Sequence, residues 1–152
     1  MASGKSVQLF GLLMREVKLK TNTGCTIADV LAWDTDGYAP ADADAAAANI
    51  GPFYVASETV AAPGAGLQAK VKVFEEGVVE VNKVAGVIND GDWVGLSTTA
   101  GKVTAFAKPD APSAYAEATM QAELDKIFKR VGRCYGGAAD AATTCKVRLL
   151  SY

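Results

Sequence analysis

The chain has 152 residues, a net charge of −2 and no histidine; half of its residues are apolar and only 8% are aromatic. That is one domain's worth of chain, enough for a core without staples, and the composition argues against disorder as the default and does not suggest a large leucine-built helical core. No apolar run approaches the ~20 residues that span a bilayer, and the start "MASGKSVQLFGLLMREVK" lacks a small-residue cleavage site, so a soluble protein made in a cytoplasm is expected.

Residues 1–15 read as an N-terminal arm and 16–152 as one β domain, with a loop and helix insertion at 107–126. In the arm, Val7, Leu9 and Leu13 fit a loose period of two, broken by Gly4 and Gly11. "EVKLKT" then alternates Val17 and Leu19 with Lys18 and Lys20, the pattern of a half-buried strand. "TIADVLAWDTDGYAPAD" reads as a strand to Trp33, a tight turn at Asp34–Gly37 and a short return. "ADADAAAAN" fits a helical turn or a small-residue loop, "IGPFYVASETV" a strand, and "AAPGAG" a loop. "KVKVFEEGVVEV", from Lys70, reads as a β-hairpin turning at Glu75–Gly77, with Val71, Val73, Val79 and Val81 facing inward. Turns at Asn89–Asp92 and Thr99–Gly101 bracket a strand containing Trp93, Val94 and Leu96. After the break "AKPDAPSA", "YAEATMQAELDKIFKRV" carries the one convincing helical signal: Ser113 as cap and a stripe of Met120, Leu124, Ile127 and Phe128. Its end, "DKIFKRVGRCY", fits a strand equally well, and "CKVRLLSY" closes the chain as a strand. Short strands, frequent turns and one helix predict a mainly β fold, a small antiparallel barrel or sandwich with an extended N-terminal arm.

The chemistry expected of an enzyme is missing. Without histidine there is no Ser-His or Cys-His pair, and the commonest general base and metal ligand are gone. "GPFYVASE" and "GLSTTAGK" lack phosphate-loop spacing. Asp90 and Asp92 in "NDGD", like Asp34 and Asp36 in "DTDG", read as β-turns, since the remaining ligands of a calcium loop are absent. No catalytic residue, metal site or cofactor is therefore expected. "EVNKV" roughly resembles the hairpin that presents a modified lysine in biotin- and lipoyl-carrier domains; the other reading of Lys83 is a surface lysine at a strand end. Trp33 and Trp93 read as core or subunit-interface packing, with ligand stacking as the alternative. Cys134 and Cys145 flank a turn-like "GGAADAATT", a spacing that could face them across a hairpin, although an odd count of three cysteines argues for reduced thiols.

Charge is uneven. Residues 1–20 balance at +3 and residues 126–152 at +5, so the middle carries −10. An acidic body with basic ends is poorly suited to a phosphate backbone and better suited to an acidic protein surface, with plain solvated charge as the alternative.

The pieces "VLAWDTDGYAPAD", "GPFYVASETVAAPGAGLQAKVKVFEEGVVEVNK", "VINDGDWVGLSTTAGKVTAF" and "VGRCYGGAADAATTCKVRL" come in an order that resembles the small β-barrel head-decoration (cement) proteins of tailed double-stranded DNA viruses. The arm 1–14 and the insertion around 107–126 depart from that pattern. The resemblance implies a non-enzymatic structural protein on the outer capsid surface of a virion, made in the host cytoplasm. Its partners would be the major capsid protein and two further copies of itself, with no nucleic acid, membrane or small-molecule substrate. The candidate contact residues are Val7, Leu9, Phe10, Leu12, Leu13, Arg15 and Lys18 of the arm region, and Trp93. The apolar arm residues would add to a free strand edge or pack on the domain or a neighbour. A small-molecule-binding or carrier barrel and a tail or adhesin module are the competing readings.

Overall fold

The structure, a computed structural model, describes residues 12–43, 51–106, 108–109, 111 and 115–150. Its strands are β1 (Leu13–Lys18), β2 (Val30–Asp34), β3 (Gly37–Pro40), β4 (Tyr54–Ala56), β5 (Lys70–Glu76), β6 (Val78–Asn82), β7 (Trp93–Leu96), β8 (Val103–Ala105), β9 (Arg130–Cys134) and β10 (Thr144–Leu149). Among the described residues there is one helix, α1 (Glu117–Phe128), between β8 and β9. The strands form two five-stranded antiparallel sheets, ordered β1-β5-β4-β2-β3 and β6-β10-β9-β7-β8. Both keep their edges, so the fold is a sandwich and not a closed barrel.

The valine-rich stretch at 70–81 is not a hairpin. β5 pairs with β1 and β4 in the first sheet, whereas β6 pairs with β10 in the second. Gly77, at φ 105°, is the corner between them. A single linking residue is too short for the usual two-residue hairpin reversal. A left-handed glycine instead redirects the chain from one sheet to the other. The inward valines are thereby divided between two cores. Val79 and Val81 join Val30, Phe53, Val55, Val94, Leu96, Val131 and Val147 between the sheets. Val71 and Val73 join Val17, Leu19, Leu31, Tyr54 and Ala56 on the opposite face of the first sheet. Val60 and Ala69 pack against that second cluster, and Cys25 bridges to Val60.

This double burial accounts for the local sequence patterns. β2 and β4 are apolar without interruption over Val30–Ala32 and Tyr54–Ala56, because successive side chains enter opposite cores and both are buried. β10 has only one face covered and alternates strictly. The turn expected at Asp34–Gly37 is present, with Asp34 directly opposite Gly37.

Three local expectations need correction. β1 begins at Leu13, so Leu13–Arg15 belong to the domain and not to an arm; Val7, Leu9 and Phe10 lie outside the described residues, as does "AAAAN". α1 forms, but its N-cap is Ala116 without a side-chain cap, and Ser113 is outside the described residues. The helical stripe also covers nothing: Met120, Leu124, Ile127 and Phe128 all stay exposed. α1 is supported by its own surface pairs, Lys126 to Glu123 at 2.6 Å and Gln121 to Asp125 at 2.7 Å.

Candidate functional site

The sequence-chosen residues that lie among the described ones fall on two separate surfaces. Leu13, Arg15 and Lys18 lie along β1, an edge of the first sheet, and Leu12 immediately precedes it. Arg15 is already partnered. Its Nη1 donates to Glu75 Oε1 at 2.8 Å and to the Tyr54 hydroxyl at 3.4 Å, and the Glu75 bond holds the guanidinium above its ordinary pKa. Lys20 is likewise bound to Asp34 at 2.9 Å, which lowers the aspartate. Arg15 and Lys20 thus meet their counter-charges within the first sheet. Lys18 is exposed opposite Lys70, whose own Nζ meets Glu16 at 3.1 Å.

Trp93 belongs to a different surface, the outer face of the second sheet. The antiparallel registers align Trp93 with Arg133 and Arg133 with Arg148 across β7, β9 and β10. The Arg133 and Arg130 guanidiniums lie 4.3 and 4.4 Å from the Trp93 ring centroid, and Arg130 also lies 5.8 Å from Phe106. Arg133 donates once more, to the Gly91 carbonyl at 3.3 Å. Two like charges directly opposite on a sheet repel. Stacking on the indole holds Arg133 beside β7 and relieves that repulsion, at an attraction of about 1 kcal/mol per exposed pair. Exposed Lys146 extends the patch along β10. Arg133, Arg148 and Lys146 make no ion pair among the described residues. Trp33 is also no core residue: it is 51% exposed and meets Tyr38 edge-on, with centroids 5.5 Å apart.

Beside this face, a groove of about 600 Å³ follows the outer edge of β6, unpaired among the described residues, lined by Leu12, Ile27, Phe74 and Val78 and flanked by Tyr135 and Lys146. Nothing in the local sequence marks this groove, since it exists only because β5 and β6 part company at Gly77.

Lys83 is not a surface lysine. It is 3% exposed, and its Nζ donates to the carbonyls of Ala139, Asp140 and Ala142 at 3.1, 3.3 and 3.0 Å. An ammonium enclosed in this way does not occupy the exposed tight turn that a carrier lysine needs. The aspartate pairs serve turns as expected. Asp92 accepts from the Asn89 backbone at 3.0 Å, Asp90 from Gly136 at 2.7 Å, and Asp36 from the Thr21 hydroxyl at 2.5 Å. Among the described residues no group of three or more acidic or cysteine side chains converges as metal ligands would.

Cys134 and Cys145 are both buried free thiols in the core between the sheets. Cys134 stands opposite Val147 and Cys145 opposite Val81, so the two sit diagonally on β9 and β10 and not face to face. Burial, with Cys134 nearby, pushes the Cys145 thiol up to about 12, and burial also raises Cys25 and Cys134. The folded state therefore holds protons that the unfolded chain releases from about pH 8.5. This contribution is complete below that pH and is lost as pH climbs toward 12. Urea midpoints should fall from pH 8.5 to 11, and Cys145→Ala should flatten the decline; an unchanged slope in that variant would assign the loss elsewhere.

Compared with family models and with curated proteins, the chain matches none.

Proposed function

We propose that this protein is a structural component of a virion that binds the outside of an icosahedral capsid and stabilises it by bridging capsid subunits, acting as a homotrimer and catalysing no reaction. The observation that carries this reading is the outer face of the second sheet. Trp93 backs Arg130 and Arg133, and Arg148 and Lys146 continue a cationic surface held on rigid strands. Guanidiniums fixed by stacking lose little entropy when they meet planar carboxylates. The indole, engaged by two guanidiniums, is not set out as a platform for a nucleic-acid base. An acidic protein surface is the fitting counterpart.

The quoted phrases that resemble the head-decoration proteins coincide with structural units: β2 and β3, then β4 to β6, then β7 and β8, and finally β9 and β10. A trimer suits the three-fold positions of a capsid lattice, where cyclic closure avoids open-ended filaments. Mass spectrometry of purified particles should find hundreds of copies, as a lattice-wide decoration requires. Absence from particles would sink the reading, and a handful of copies would favour a tail or adhesin module. Light scattering should give a trimer free or on the shell; a stable even-numbered oligomer contradicts this. The apolar groove favours a second reading, small-molecule binding, which predicts saturable titration without capsid.

A further inference from the structure

We infer that the free edge of β6 receives an extended strand from the protein partner, apolar at alternate positions, by β-augmentation. The partner's identity as a capsid subunit rests on the function proposed above; the acceptor edge does not. The register with β10 turns the backbone N–H and C=O groups of Val78, Glu80 and Asn82 away from the second sheet. The Asn82 N–H is satisfied by the Ala28 carbonyl at 2.9 Å, and the Asn82 side chain reaches the Ile27 carbonyl at 2.9 Å, closing that end. The outward groups of Val78 and Glu80 have no backbone partner among the described residues.

The other three edges are guarded. β1 carries Glu16 and Lys18 along its rim. On β3 the Tyr38 carbonyl accepts from Lys20 at 2.8 Å, Pro40 has no N–H, and Gly37 abuts the Leu19 backbone. On β8 the Val103 carbonyl accepts from Val84 at 3.0 Å. Among the described residues only β6 combines unpaired backbone with an apolar wall, built from Phe74 of β5, Leu12 just before β1 and Ile27 of the turn before β2.

That combination specifies the occupant. Unpaired strand backbone asks for another strand, and side chains of an added strand alternate between two faces. One set would enter the groove against Phe74, Leu12 and Ile27, the last 54% exposed at present. The other set would face outward across from exposed Glu80 and beside Tyr135, where uncharged polar or basic residues fit. Between the Gly77 corner and the Asn82 closure there is room to pair about four residues at ~3.3 Å each.

Hydrogen exchange on the full-length protein tests this. Free in solution, the Glu80 amide should exchange at least about tenfold faster than those of Val79 and Val81, which point into the sheet. Capsid shells stripped of this protein, or the synthetic peptide acetyl-Lys-Val-Thr-Val-Thr-Val-Lys-amide, should slow Val78 and Glu80 about tenfold or more. Glu80→Pro removes the donor on an edge that tolerates proline and should weaken binding of both probes about tenfold, while Glu80→Gln should bind as the native protein does. If shells do not bind but the peptide protects β6, the functional reading fails and the acceptor edge stands. If neither probe protects Val78 and Glu80, or Glu80→Pro binds as well as Glu80→Gln, the inference is overturned. It is also overturned if these amides are already protected and deleting residues 2–11 releases them, since the chain would then occupy its own edge.

Discussion

Replacing Lys83 with methionine is expected to lower the stability of the fold by about 3 kcal/mol, among the largest effects of any single polar substitution here. The Lys83 ammonium is 3% exposed and is solvated almost wholly by the carbonyls of Ala139, Asp140 and Ala142. Methionine preserves most of the stem's packing but abandons all three acceptors at once, and it leaves an apolar tip in a part-buried pocket lined by carbonyls that lose their donor. Lys83 also ties the end of β6 to the turn that joins β9 and β10; its own N–H donates to Thr143 at 2.9 Å. The Asp140 side chain secures the same turn from the other direction by accepting from the Gly86 N–H at 2.7 Å. Lys83→Ala adds a cavity to the lost bonds and should be worse. Thermal melts should show a drop of about 10 °C for the methionine variant, given ~2–4 °C per kcal/mol at this size. A change under about 2 °C would mean that the turn re-solvates its carbonyls and that Lys83 is dispensable.

Lys83 also marks where sequence stops being legible. Its neighbours spell the end of a strand, and the carbonyls that enclose it come from a turn 56 residues later at the nearest. Turns carry their chemistry locally, which is why Asp34–Gly37 and Asn89–Asp92 could be read directly from "DTDG" and "NDGD". Strand alternation is local too, and it located β5, β6 and β10. What alternation cannot specify is the partner strand: a period of two says that one face is buried, and Gly77 serves a hairpin or a corner equally well. The patch around Trp93 was out of reach for the same reason. Trp93, Arg133 and Arg148 are distant in sequence and form a row only through the registers of β7, β9 and β10. The exposed stripe on α1 errs in the opposite direction, because amphipathic spacing promised a packed helix and no residue of α1 is buried. Propensity and surface pairs suffice to form the helix, but they do not supply a neighbour to cover it.

Gly132→Ala should be at least as damaging as the loss of Lys83, and comparison with Gly136→Ala isolates the reason. Gly132 lies in β9 opposite Leu149, with no left-handed φ to demand glycine. What demands it is space. A Cβ there would fall 2.1 Å from the Arg148 carbonyl oxygen and 2.8 Å from Val147 Cγ1. The first obstacle is backbone of the adjoining strand, which cannot rotate aside as a side-chain tip does, so β9 and β10 would have to separate. That movement would disturb the row Trp93, Arg133 and Arg148 as well as the core around Val147. A loss of more than about 3 kcal/mol, or failure to fold, is expected from such overpacking against a total stability of only ~5–15 kcal/mol. Gly136 is the opposite case: its φ is 84°, but a Cβ would meet nothing within 4 Å. Alanine there bears only the left-handed strain, about 1 kcal/mol. Urea denaturation of the two variants should therefore separate them by about 2 kcal/mol or more, with Gly132→Ala the weaker fold. Equal losses would show that backbone conformation, and not the close approach of β10, is what fixes glycine at position 132.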